Sequence, residues 1–141
     1  MRLEPQPILH ADRVHLAEQV AHRVLARYGE QVLAIGIYGS LAQGSDQLYS
    51  NIEMKCVLNT RGEAYSHEWI EEGCKVEVNV ESEDVILTEA ATVEEDWAIT
   101  HGAYFALKLL YGSDDFLIQL QAAIARSRDV HRFEKRWIAS L

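Results

Sequence analysis

Apolar and polar positions change period several times along the chain, and each change marks an element. From Asp12 to Tyr28, the residues Val14, Ala17, Ala21, Val24 and Tyr28 recur at three- and four-residue spacing. That pattern predicts an amphipathic helix over 12–28, with Asp12 as its N-cap and Gly29 as its C-terminal stop. Gln31 to Tyr38 is a short, nearly continuous apolar run ahead of a turn, which predicts a buried central strand. Ser40 to Gln43 begin a short helix, Gly44 to Ser50 is turn-rich, and Asn51 to Leu58 is a second strand. Its period-two alternation sets Asn51, Glu53 and Lys55 on one face and Ile52, Met54 and Cys56 on the other.

After the Asn59-Thr60-Arg61-Gly62 turn, Ala64 to Ile70 and Cys74 to Val80 flank a turn at Glu71-Glu72-Gly73 and predict a hairpin. On its second arm Lys75, Glu77 and Asn79 alternate with Val76, Val78 and Val80. Ser82 caps a helix through about Ala91, helped by Glu83 and Asp84 in its first turn. Asp96 to Thr100 carries no clear period. Ala103 to Tyr111 reads as a final strand, Asp114 to about Ser127 as a helix with Phe116, Leu117, Leu120 and Ile124 on its apolar face, and Val130 to Leu141 as another helix. The order suits one α/β (α+β) domain over 1–141, a mixed, mostly antiparallel sheet flanked by helices, with no internal repeat or linker.

Composition narrows the class. Hydrophobic content of 48% supports a folded core, and no apolar run is long enough to span a bilayer. Arg2 and the Pro5–Pro7 opening lack the apolar run of a secretory signal, so the expected location is the cytoplasm. Cys56 and Cys74 fall in strand-like runs and are expected as buried free thiols. A formal charge of −9 argues against a protein that grips nucleic-acid backbone. It suits a cationic small molecule, which an acidic cleft would concentrate, and it also serves simple solubility. His15 and His22 lie seven apart on one helix face, a spacing that fits solvated or core-edge residues better than a metal site.

The chemically suggestive stretch is Ile35-Gly36-Ile37-Tyr38-Gly39-Ser40-Leu41-Ala42-Gln43-Gly44-Ser45-Asp46, followed by Tyr49-Ser50-Asn51-Ile52-Glu53-Met54. Gly39 permits a tight turn, so that backbone N–H groups and the Ser40 hydroxyl can face a phosphate. A phosphate cradle beside a strand bearing acidic groups is the layout of metal-assisted nucleotidyl transfer. Singly, Gly39 reads as a turn glycine, Ser40 as a helix cap and Glu77 as a charge on a solvated face. Their joint occurrence in this order favours a site.

The segment resembles the Gly-Ser … Asp-x-Asp/Glu signature of the polymerase-beta-type nucleotidyltransferases. More narrowly, residues 34–41, Tyr49-Ser50-Asn51-Ile52-Glu53-Met54, Ser66-His67-Glu68-Trp69 and Lys75-Val76-Glu77-Val78-Asn79 are similar to the kanamycin (aminoglycoside) nucleotidyltransferases, to about residue 120. The resemblance implies the nucleotidyltransferase fold, and Mg²⁺-dependent transfer of AMP from ATP to an aminoglycoside hydroxyl. It implies Mg²⁺ held at Asn51, Glu53 and Glu77, and nucleotide phosphates held by Gly39 and Ser40, with Gln43 and Ser45 beside them. Glu68 and Glu77 would lie near the aminoglycoside amines, and a homodimer is a further implication.

Four departures bear on activity. Asn51 stands where the family has its first carboxylate, and its amide brings no negative charge, so a weakened Mg²⁺ site is expected. Gln43 stands about where many relatives place a phosphate-facing arginine. Lys55 shares a strand face with Glu53 and could pair with it. The helical C-terminal domain that carries the general base in the relatives is expected to be missing. The reading is therefore a nucleotidyltransferase domain impaired in this copy. Its alternatives are a catalytically silent nucleotide-binding or dimerisation module, with the Trp97–Tyr111 region and Trp137 as contacts, and a minimal enzyme that modifies proteins.

Overall fold

A computed structural model describes residues 4–60, 62, 64–91, 107–113 and 115–126. Helix α1 (His10–Tyr28) is followed by a short 3₁₀ turn and strand β1 (Val32–Tyr38), then by the one-turn helix α2 (Gly39–Gln43). Strands β2 (Ile52–Leu58), β3 (Tyr65–Glu71) and β4 (Cys74–Ser82), helix α3 (Glu83–Ala91) and strand β5 (Lys108–Gly112) come next. A further helix, α4, covers 115–126, the last stretch among the described residues.

The five strands form one sheet in the order β3-β4-β2-β1-β5. β2 and β4 run parallel, and the other three pairs are antiparallel. The expected mixed, mostly antiparallel sheet is therefore what forms, with β2 rather than β1 as its middle strand. The β3–β4 hairpin turns on Glu72 (φ 48°) and Gly73 (φ 78°), two successive left-handed residues that give the turn the twist a hairpin needs.

Alternation on the strands assigns the two faces. Ile35 and Ile37, Ile52, Met54 and Cys56, and Val76, Val78 and Val80 form one apolar layer, covered by Leu16, Ala17, Val20 and Ala21 of α1. Burying Leu16 and Val20 contributes about 1.5–3 kcal/mol each. The second layer joins Ala34 and Val57 to Ile86 of α3 and to Phe116, Leu120, Ala123 and Ile124 of α4. Register sets Val32 beside Leu58 at one end of the β1–β2 pair and Tyr38 beside Glu53 at the other. The α3–α4 layer lies toward the first end. Toward the second, the same face carries Tyr38, Glu53 and Glu77.

Several local expectations need correction or lie outside the described residues. α1 starts at His10, with Leu9 at the N-cap position, so Asp12 sits inside the first turn and caps nothing. The Arg13 N–H already bonds the Leu9 carbonyl at 3.0 Å, which starts the helix ahead of Asp12. Ser82 does cap α3, its hydroxyl accepting from the Val85 N–H at 3.4 Å. β5 begins at Lys108. Residues 92–106, Asp114 and 127–141, with the expected strand start at Ala103, the last helix, Trp97 and Trp137, are not among the described residues. Cys56 and Cys74 are buried free thiols, as expected. No helix among the described residues is long and apolar enough to cross a membrane.

Candidate active site

β1 ends at Tyr38 in extended conformation, and Gly39 then turns the chain into α2 with φ of 72°. Glycine is needed there twice over. An L-residue resists that φ, and a Cβ at Gly39 would overlap the Glu53 carboxylate. Glu53 therefore lies directly against the turn that begins α2. Tyr38, at the N-cap position of that helix, makes no side-chain cap bond. The Ser45 N–H bonds the Ser40 carbonyl at 3.0 Å, and Gly44, left-handed at φ 74°, closes the single turn. Gln43 and Ser45 are exposed at its exit.

Strand register aligns the acidic residues. Tyr38 stands opposite Glu53 across β1–β2, Glu53 opposite Glu77 across β2–β4, and Glu77 opposite Glu68 across β4–β3. One row across four strands thus reads Tyr38, Glu53, Glu77, Glu68, with neighbours about 5 Å apart at the backbone. Burial and the negative charge of Glu77 push the Glu53 carboxyl above its ordinary range, while Lys75 pulls it back. Burial, then the charges of Glu77 and Glu53, push the Tyr38 phenol up to about 12, so it stays protonated. Asn79 Nδ2 donates to the Tyr38 hydroxyl at 2.9 Å and fixes the ring. Glu68 pairs with Lys75 at 3.5 Å in an exposed setting, where such pairs contribute little.

Lys55 corrects one expectation. Its Nζ lies 3.8 Å from Glu81 and 5.3 Å from the centre of the Tyr38 ring, so its described ion pair is with Glu81 and not Glu53. The parallel register sets Lys55 beside Asn79, and its long stem leans along β4 to the next acidic residue on that face. Asn51 precedes β2 and is exposed, two positions ahead of Glu53.

The structure thus brings Gly39, Ser40, Glu53 and Glu77 to one end of one sheet face, with Glu68 extending the row to the edge strand. Among the described residues, no group of three or more His, Cys, Asp or Glu is arranged to hold a metal. Glu53 and Glu77 are the adjacent pair whose mutual repulsion a cation would relieve. Two sizeable grooves, one beside α3 and Arg126 and one between α1 and β3, take in neither of them.

Sequence reasoning missed Arg13, Asp46, Tyr38 and Glu81. Arg13 gave a signal: it interrupts an otherwise apolar helix stripe, three and four residues ahead of Leu16 and Ala17. A charge in that place requires a buried partner, which pattern alone cannot name.

No protein-family model matches the chain. It is 40% identical over 122 residues to an aminoglycoside nucleotidyltransferase (4′) from a Bacillus species, covering 86% of this chain and 48% of that protein. A second, from Staphylococcus aureus, is 43% identical over 106 residues, covering 75% and 42%. The chain spans a little under half the length of these curated relatives. Among solved structures, a nucleotidyltransferase-like protein from Exiguobacterium sibiricum matches with a TM-score of 0.52 and 14% identity, over 77% of this chain and 38% of that one. A toxin-antitoxin structure with AMP-PNP matches with a TM-score of 0.52 and 12% identity, over 87% and 96%. At these identities the structural likeness concerns the fold alone. Over the shared stretch the chain is a homologue of the aminoglycoside nucleotidyltransferases (4′), and its fold is that of the nucleotidyltransferases.

Proposed function

We propose that this chain carries the nucleotide-binding part of an adenylyl-transfer site, in which AMP passes from ATP to a hydroxyl of an aminoglycoside. The reaction is weakened in this copy. The observation that carries the reading is the Glu53 carboxylate lying against Gly39, with Glu77 beside it in register. A phosphate-binding turn and a pair of carboxylates meet there within one side chain's reach.

The residues present fit Mg²⁺ of a particular kind. That ion commonly takes one or two protein carboxylates and completes its shell with substrate phosphates and water. Glu53 and Glu77 supply the two carboxylates; burial and then the charge of Glu77 raise the Glu53 carboxyl, and a divalent ion would relieve the repulsion between the two. Asn51 offers only a neutral amide oxygen. When bound, the metal would supply charge neutralisation for the phosphates.

The chain's own groups divide the remaining work. Backbone N–H groups at Gly39 and Ser40, with the Ser40 hydroxyl, hold the outer phosphates, and Gln43 and Ser45 flank them at the exit of α2. Tyr38, kept protonated and fixed by Asn79, forms the wall beside Glu53. Glu77 and Glu68 draw the amines of a polycationic acceptor along the row toward β3. The acceptor hydroxyl forms the new bond to the α-phosphorus as pyrophosphate leaves. Its proton goes to a base that we assign to no residue of this chain.

The test is transfer of label from α-labelled ATP to a 4′-hydroxyl aminoglycoside in the presence of Mg²⁺. Asn51→Asp should transfer more label than the unaltered chain. If neither protein transfers label and neither binds nucleotide, the reading is wrong. Nucleotide binding without transfer in either would make the chain a silent nucleotide-binding module.

A further inference from the structure

A buried ionic cluster joins α1 to the loop between α2 and β2. Arg13 is completely buried (0% exposed) in the first turn of α1, and the Asp46 side chain is 1% exposed. Arg13 Nη1 donates to Asp46 Oδ2 at 2.5 Å, and Nη2 donates to the carbonyls of Leu48 at 2.9 Å and Ile8 at 3.2 Å. The other Asp46 oxygen pairs with His10 Nδ1 at 2.5 Å. The Ile8 N–H adds a bond to the Leu48 carbonyl at 2.9 Å. One guanidinium thus ties together the segment ahead of α1, α1 itself, and two points of the loop.

The loop has little else to place it. Its large apolar residues, Leu48 and Tyr49, are 49% and 65% exposed, so no apolar side chain of that size anchors it to the core. Most of its other bonds are local: Ser45 to Ser40, Gln47 N–H to the Ser50 hydroxyl at 2.8 Å, and Ser50 N–H to the Gln47 carbonyl at 3.1 Å, with one weak longer-range bond from the Cys74 thiol to the Ser50 carbonyl at 3.8 Å. A buried ion pair is a poor source of net stability, because desolvating both charges offsets their attraction, and an apolar pair of similar volume often serves as well. The arginine Nε even has no hydrogen-bond partner among the described residues. What the pair supplies beyond an apolar contact is direction: a planar fork and a carboxylate fix position and orientation together.

We infer that Arg13 and Asp46, with His10 closing the second carboxylate oxygen, are positioning residues. They hold the Ser45–Asn51 segment at the place from which it meets the nucleotide and feeds Asn51 into β2. The nucleotide part of this inference rests on the adenylyl-transfer reading; the clamp itself does not. Neither residue touches the reacting atoms. Both act through the loop.

Arg13→Met alone would take the guanidinium from a buried carboxylate and endanger folding. The test therefore uses Asp46→Asn and the apolar pair Arg13→Met with Asp46→Leu. Arg23→Met, which loses a surface pair to Glu71, serves as control. Two quantities are read in each folded protein: amide hydrogen exchange at Ser45, Gln47 and Ser50, and the dissociation constant for Mg–ATP. In the apolar pair, the loop amides should exchange about tenfold or more faster while the amides at the centre of α1 stay within about twofold. Mg–ATP should bind about tenfold more weakly in the same protein, and Asp46→Asn should fall between, with the control unchanged. Loop amides that exchange no faster in either variant would overturn the clamp. Faster loop exchange with Mg–ATP affinity equal to that of the unaltered chain would overturn the positioning role. If the unaltered chain binds no Mg–ATP, the adenylyl-transfer reading fails with the nucleotide part, and the exchange rates alone decide the clamp.

Discussion

Gly39→Ala separates two effects that the structure superimposes at one carbon. The backbone there has φ of 72°, and a Cβ would meet the Glu53 carboxylate oxygen. Holding an L-residue in the left-handed region costs about 1–2 kcal/mol. The overlap is with the far end of a flexible side chain, so Glu53 can swing away at about 0.5–1.5 kcal/mol of rotamer strain. Gly39→Ala should therefore destabilise by about 1.5–3.5 kcal/mol. At this chain length each kcal/mol lowers Tm by about 2–4 °C. Placed in a Glu53→Ala background, the same substitution keeps its backbone cost and loses the overlap, so it should cost only about 1–2 kcal/mol. Urea unfolding of the four proteins of this cycle gives the coupling directly. A Gly39→Ala cost that is the same in both backgrounds, within about 0.3 kcal/mol, would mean that Glu53 does not lie against the turn. The site as described would then be wrong.

Two further predictions concern charge and turn geometry. The folded-state Glu53 carboxyl titrates above its ordinary value of 4.5, so the folded chain favours the protonated form. Its contribution is fully present below the unfolded value and is lost as pH rises through the raised folded value. Glu53→Gln should thus raise Tm relative to the unaltered chain at neutral pH, with the difference closing as pH falls below 4.5; a constant offset across pH would refute this. In the β3–β4 turn, Glu72 holds a left-handed conformation that asparagine tolerates better. Glu72→Asn should stabilise by about 0.5–1 kcal/mol in thermal melts, and a loss of stability would contradict the turn assignment.

Much of the fold was legible because its signals are local. The hairpin could be read from alternation on both arms around Glu72-Gly73, the α3 cap from Ser82, and the two faces of β2 from Ile52, Met54 and Cys56 against Glu53 and Lys55. Gly39 and Glu53 were singled out separately, and their contact follows from pairing β1 with β2 so that Tyr38 meets Glu53. What stayed hidden was set by distant partners. Asp12 looks like an N-cap, but α1 begins two residues earlier, where His10 and Arg13 reach Asp46, 36 and 33 residues away in sequence. Helix periodicity sets Arg13 on the apolar stripe but names no partner for it, and the Asp46 carboxylate with the carbonyls of Ile8 and Leu48 makes its burial tolerable. Lys55 shared a face with Glu53, but which carboxylate it meets depends on the parallel register of β2 with β4, and that register is fixed by where the hairpin returns. The position of Asn51 was readable. Its consequence, a cation site short of one negative donor, follows from the chemistry of the amide.

That consequence is the most direct test of the central claim, that the turn at Gly39-Ser40 and the Glu53–Glu77 pair receive a nucleotide with its metal. Isothermal titration of Mg–ATP into the unaltered chain and into Asn51→Asp should show binding at the site in both. The aspartate, restoring a third negative donor, should bind about tenfold or more tightly, or at least ~1.4 kcal/mol better. Equal affinities in the two proteins, or no binding in either, would contradict the account.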